Sequence, residues 1–331
     1  MTSKELNQYL TDNYSKEDGT PLFSATGKEP LCKYRLTHNV ALNLVAAIQT
    51  VNNSVDISTV SIKDKEQYDL FWHSSPCQNF SLAGNNKGGD EGSGTSSSLL
   101  YESIRLIKEN TPKIVIWENV KGALAKKHIH NVEKYKDELS KLGYKHSTEV
   151  ISGDDVGWVQ PRPRIFIYSY LEEENEINLI DILKHQYNKV KLEKVIDFSK
   201  DSIKIPFETS SVVVRNSKYA RESFLKKGYD LETDNYVYDS GLSPSRPSRA
   251  YVGKTPTLLT SKRIAKYSAE TKTETLLTAR EYWSLMSFPA DKYDLVNGEI
   301  NDVHLYKICG NSVLVLVIKE ILKLNKMLDK F

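Results

Sequence analysis

Short apolar runs alternate along this chain with stretches whose apolar residues recur every three or four positions. Leu70-Phe71-Trp72 is one such run; polar residues and Pro76 close it, so it reads as a strand with Cys77 just past its end. From about Ser97, Leu99, Leu100, Ile104 and Ile107 fall at helical spacing, and Lys113-Ile114-Val115-Ile116-Trp117 follows as a second strand ending in Glu118-Asn119-Val120. Strand, helix, strand predicts two parallel neighbours joined by a right-handed crossover. Both strands then end on one edge, which carries Cys77 and Glu118, and ligands of open parallel sheets bind at that edge. Gly84, Gly88, Gly89, Gly92 and Gly94, with Asn85, Asn86 and Asp90 among them, predict a loop rooted at the thiol.

The remaining pattern extends this α/β picture. Residues Met1 to Thr20 are polar and predict a short helix or a loose arm; Cys32 to Leu36 reads as a strand and Asn39 to Val51 as an apolar helix. A helix from about Asn131 to Leu142 precedes Gly143, which suits a helix C-terminus. A hairpin follows, from Ser147 to Ile151, through Gly153-Asp154-Asp155, to a strand from Arg164 to Tyr168. Gln160, Arg162 and Arg164 alternate into it and lean toward one face. From Leu171 to about Ser245 the character changes. An acidic run gives way to short strands and turns, with Arg215, Lys218, Arg221, Lys226 and Lys227 among Tyr219 and Tyr229. Charge runs are usually solvated faces. Basic residues interleaved with tyrosine between two enzyme-like segments read better as a DNA-facing module.

Composition narrows the classes. At 331 residues the chain suits a large domain with a smaller one, and a net charge of +2 means that any nucleic-acid surface is local. Cys32, Cys77 and Cys309 have no paired spacing, so a disulfide framework or cysteine metal site is not expected. His128 and His130 lack a metal-spaced partner and read as solvated. The polar N-terminus and short apolar runs predict a soluble, cytoplasmic protein without a membrane segment.

Five ordered blocks resemble the cytosine-C5 DNA methyltransferases of bacterial or phage type. They are Pro76-Cys77-Gln78 with Phe80-Ser81 and Gly84; Glu118-Asn119-Val120; Gln160-Pro161-Arg162-Pro163-Arg164; Leu277 to Glu281 with Phe288-Pro289; and Gly310-Asn311-Ser312-Val313. The resemblance implies a Rossmann-like S-adenosylmethionine-dependent methyltransferase fold with a small, mostly irregular or β target-recognition domain. The expected division is 1–170 for the first catalytic part, 171–250 for recognition, and 251–331 for the rest of that module and the return to the catalytic domain. Thr255 to Thr260 resembles the block that organises recognition, with Arg246, Arg249, Lys254, Lys262, Arg263 and Lys266 around it, and Gly310 is expected to open an apolar helix to Leu324.

By the same resemblance Cys77, Glu118, Arg162 and Arg164 are catalytic. Phe23, Gly27, Asp56, Ile57, Pro76, Asn311 and Ser312 would bind S-adenosylmethionine, and Gln78, Ser81, Gln160, Lys226, Lys227, Arg246 and Arg249 would bind double-stranded DNA; no metal is implied, and a monomer is expected. The chain departs from the pattern near its start: Ala25 stands at the first glycine of the cofactor loop, and Leu36 at the position of the ribose-binding acid. A DNA-binding homologue with impaired donor binding is therefore an alternative, as is an RNA target. A thiol hydrolase would need a histidine, and none of the seven lies in a block matching such a site.

Overall fold

The computed structural model describes residues 1–13, 37–50, 57–77, 80, 89–93, 96–199, 203–205, 210–324 and 326. Phe23, Ala25, Gly27, Leu36, Asp56, Gln78 and Ser81 lie outside the described residues, as does the strand expected over Cys32 to Leu36. The chain divides into two compact units, one of Met1–His146 with Ser169–Glu172 and the other of Ser147–Tyr168 with Glu173–Phe331.

In the first unit, helices α1 (Ser3–Asn13) and α2 (His38–Thr50) pack through Leu6, Leu10, Ala41 and Val45. Thr2 and Glu5 start α1 with a reciprocal pair of backbone-to-side-chain hydrogen bonds of 2.6 and 3.3 Å. Strand β1 (Leu70–His73), helix α3 (Leu100–Asn110) and strand β2 (Ile114–Val120) form the expected unit, and β1 pairs with β2 in parallel from Leu70↔Ile114 to His73↔Trp117. Thr111, in the left-handed region at φ 44°, ends α3 with its N–H on the Ile107 carbonyl. Helix α4 (Ile129–Ser140) stops ahead of Gly143, whose φ of 94° is the conformation for which glycine was expected. Strands β3 (Lys145–Ile151) and β4 (Arg164–Tyr170) complete a sheet of order β1-β2-β4-β3. The first unit contains β1, β2 and one end each of β3 and β4.

The second unit contains α5 (Ile180–Lys184), β5 (Ile203–Lys204), α6 (Ser211–Lys226), β6 (Tyr236–Asp239), β7 (Ile264–Ser268) and β8 (Thr273–Leu276). Its strands make an antiparallel sheet of order β5-β8-β7-β6. Helix α6 corrects the expectation of short strands and turns. Val212-Val213-Val214 has strand-like composition, but Ser210 caps the helix at Val213 N–H, and Asn216, Ala220 and Phe224 are buried at four-residue spacing. Helices α7 (Ala279–Leu285), α8 (Ala290–Val296), α9 (Asp302–Asn311) and α10 (Val315–Leu324) follow. Gly310-Asn311 therefore ends a helix rather than opening one. A Cβ at Gly310 would lie 2.4 Å from the Leu259 carbonyl carbon, so this close approach explains the glycine. The Thr278 and Glu281 of the fourth block form a capping box on α7.

Candidate active site

The parallel register of β1 and β2 brings the carboxyl ends of both strands together, and the segment leaving β1 is fixed there by side chains. Asn119 Nδ2 donates to the Ser75 carbonyl and hydroxyl at 3.0 and 3.1 Å, and Trp117 Nε1 donates to the same hydroxyl at 3.2 Å. Ser97 Oγ, ahead of α3, donates to the Pro76 carbonyl at 2.6 Å. Ser75 and Pro76 are thus tied to neighbouring elements before the chain reaches Cys77, which is half-buried and a free thiol. Strand alternation turns Glu118 to the face opposite Trp117 and Asn119, where it is only 6% exposed.

Beyond the thiol, Phe80 N–H donates to the Cys77 carbonyl at 3.0 Å, closing a tight turn. The Phe80 ring is 1% exposed and meets His128 edge-on at 5.3 Å. A Cβ at Gly122 would lie 2.2 Å from the Phe80 carbonyl oxygen, and one at Gly89 would lie 2.5 Å from its ring. His128 is therefore buried under this turn rather than solvated, and burial lowers its pKa. His130 is exposed, as expected. With Asn131 it holds Asp90 Oδ1, at 2.6 and 2.9 Å, and these bonds, led by the Asn131 one, lower the Asp90 pKa. Sequence reading missed Gly122 and His128 as supports of the cysteine turn. The available signal was a glycine four residues after Glu118.

The second unit holds the three residues of the glutamine–arginine block. Gln160 is fully buried; its Nε2 donates to the Leu285 carbonyl at 2.8 Å, and its Oε1 accepts from Leu258 N–H at 3.2 Å. Arg162 is buried, with Nη1 donating to the Leu258 carbonyl at 3.0 Å and Nη2 to the Gly310 carbonyl at 2.7 Å. These two differ from the expectation of side chains turned toward DNA or a base, because the backbone between Leu258 and Gly310 absorbs their polar groups. Arg164 opens β4, is half-buried and donates from Nη1 to the Pro163 carbonyl at 2.9 Å.

Among the expected donor-binding residues, Ile57 begins a short turn and its carbonyl accepts from Arg105 Nη2 at 2.9 Å. Asn311 is exposed at the end of α9, and Ser312 Oγ donates to the Ile308 carbonyl at 2.7 Å. Ile57 and Pro76 belong to the first unit and Asn311 and Ser312 to the second, and all four are uncharged. Among the described residues no cluster of histidine, cysteine and carboxylate suits a metal ion.

Of the expected DNA contacts, Lys226, Arg246 and Arg249 are exposed, and Lys227 Nζ donates to the Ala250 carbonyl at 2.7 Å. Two further cations expected around them are paired with acids. Lys266 is 1% exposed and bonded to Glu281 at 2.9 Å, and Arg263 grips Asp239 through two contacts of 2.6 Å.

The model of a family described as C-5 cytosine-specific DNA methylase matches residues 37–326. The type II methyltransferase M2.ScrFI of Lactococcus lactis subsp. cremoris is 28% identical over 276 residues, 82% of this chain and 70% of its own length. The orphan methyltransferase M.SssI of Spiroplasma monobiae is 31% identical over 205 residues, 60% of this chain, which spans only 53% of that relative. The solved Entamoeba histolytica methyltransferase EhMeth is 19% identical, covers 87% of each chain and superposes with a TM-score of 0.52, a likeness of fold.

Proposed function

The chain belongs to the C-5 cytosine-specific DNA methylase family, and so to the DNA (cytosine-5-)-methyltransferases, and from this we propose that it methylates carbon 5 of a cytosine flipped out of double-stranded DNA, in a restriction-modification or phage self-protection role. The observation that carries the reading is the placement of Cys77 past the carboxyl end of β1 and of Glu118 among the last three residues of the adjacent parallel strand β2. Carbon 5 of cytosine is too electron-poor to take a methyl group directly. Addition of the Cys77 thiolate to carbon 6 makes carbon 5 nucleophilic. Glu118 hydrogen-bonds N3 as charge develops on the ring, and Arg164 holds the O2 carbonyl. S-adenosylmethionine, when bound, supplies the electrophilic methyl group. Loss of the carbon 5 proton then expels Cys77 as thiolate. Both faces of the ring are attacked, so the base must leave the stack. Buried Arg162 acts in this scheme by fixing the backbone that leads to Arg164.

The sheet β5-β8-β7-β6, with α6 and the exposed Lys226, Arg246 and Arg249, supports reading residues 171–250 and part of 251–331 as the target-recognition module. The protein acts as a monomer on one site. Cys77→Ser is expected to abolish methyl transfer and covalent trapping on DNA containing 5-fluorocytosine while leaving the melting temperature unchanged. A stable adduct formed by that variant refutes Cys77 as nucleophile.

Ala25 and Leu36 favour a second reading, a DNA-binding homologue with a weakened donor site. A missing pair of charge-assisted ribose hydrogen bonds weakens binding by roughly tenfold to a hundredfold or more. Calorimetric titration should therefore give weak S-adenosylmethionine binding, improved by Leu36→Glu. No binding with DNA present would select the homologue reading.

A further inference from the structure

The loop between β6 and β7 is built to hold one arginine in a fixed plane. At its base Ser240 donates from N and Oγ to the Arg263 carbonyl at 2.9 and 2.7 Å, and Gly241 N–H donates to Asp239 Oδ1 at 3.0 Å. From α6, Asn216 Nδ2 donates to the Ser240 and Leu242 carbonyls at 3.0 and 2.9 Å, and Arg215 Nη2 donates to the latter at 2.7 Å. At the far end Tyr251 exchanges two backbone hydrogen bonds of 2.9 Å with Val237 of β6. Between these anchors Pro244 and Pro247 restrict the backbone, and Arg246 and Arg249 are exposed.

Arg249 differs from Lys226, Lys227 and Arg246, the other exposed cations expected to meet DNA, in being mounted on an aromatic ring. Its guanidinium carbon lies 5.3 Å from the centre of the Tyr251 ring, and its Nε donates to the Tyr251 hydroxyl at 3.1 Å. The Nε–H is thereby used, and both terminal amino groups stay available as a fork. A phosphate contact needs charge and reach but no fixed plane, and a lysine meets it equally well. The parallel acceptors O6 and N7 of guanine require a planar, oriented pair of donors.

We propose that Arg249 reads a guanine in the major groove through its two Nη groups, placing one fixed G·C pair in the recognition sequence, and that Tyr251 is its positioning residue. This rests on the DNA-methylating reading above. Arg246, on the same loop without an aromatic mount, supplies charge to the phosphates.

The test maps 5-methylcytosine by bisulfite sequencing in DNA from cells expressing the native protein, Arg249→Lys or Tyr251→Phe, alongside salt titrations of DNA binding. The native protein should give a motif with a fixed guanine. Arg249→Lys should lose roughly tenfold to a hundredfold discrimination at that one position while keeping the salt slope. Tyr251→Phe should lose less, at the same position. A Lys variant with the native motif assigns Arg249 to a phosphate and overturns the proposal. Unmethylated DNA from the native protein overturns the reading beneath it, and the proposal with it.

Discussion

Around Cys77 the chain is held by neutral groups, with Asn119, Trp117 and Ser97 bonding Ser75 and Pro76, and Gly122 set against the Phe80 carbonyl. Around β7 it is held by charge, with buried Lys266 on Glu281 and partly buried Arg263 on Asp239, and earlier in the chain buried Arg162 holds two carbonyls. A neutral hydrogen bond contributes about 1 kcal/mol and its loss is local. Removing one partner of a buried ion pair leaves an uncompensated charge and costs about 3–5 kcal/mol. Substitutions at the sheet edge should therefore change chemistry with the fold intact, whereas those near β7 should unfold the chain.

The sharpest way to break that contrast is Lys266→Ala, expected to cost about 3–5 kcal/mol in urea unfolding. Adding Glu281→Gln to Lys266→Met should restore most of the loss, and a cost below about 1 kcal/mol for the single change would remove the distinction. Next, Glu118→Gln and Arg164→Ala should each lower turnover about a hundredfold or more at an unchanged melting temperature, whereas Arg162→Ala should lower the melting temperature. Native-like turnover in both of the first two variants would show that their assigned roles are wrong.

The smallest effect concerns a buried histidine of the first sheet. His73 shares a 3.0 Å hydrogen bond with the Tyr135 hydroxyl, stacks on Trp117, and burial pushes its pKa down from 6.5 to about 3. The folded state keeps it neutral while the unfolded chain takes up a proton, so its contribution is present above about pH 6.5 and is lost progressively toward about pH 3. Between about pH 7 and about pH 5 the loss should be about 2 kcal/mol. Replacement by Phe should flatten that part of the stability–pH curve, and an unchanged slope would show that another group titrates.

The edge constellation was legible because spacing alone encodes it. An apolar run, a helix-length gap and a second apolar run predict two parallel neighbours with Cys77 and Glu118 toward one edge, and β1 and β2 do pair in parallel. Charged side chains were less legible, since a sequence gives the charge of Lys266 or Arg263 but not whether an acid such as Glu281 of α7 or Asp239 of β6 meets it in the fold. Helix α6 was hidden by three consecutive valines, whose strand preference is overridden by the Ser210 cap and the buried stripe of Asn216, Ala220 and Phe224. Gln160 and Arg162 follow strand alternation in sequence, but their partners lie about a hundred or more residues away, in the range 258–310.

The two units interleave along the chain, and this bears on the order in which the protein can be made. The first unit ends at His146 and is completed only by Ser169–Glu172, where Tyr170 is buried and Leu171 N–H donates to the Lys113 carbonyl at 3.1 Å. During N-to-C synthesis that unit keeps an open seam until residue 172 has left the ribosome. The hairpin segment 147–168 waits longer, for the partners that arrive with residues 173–331. No single cut of the polypeptide releases either unit whole.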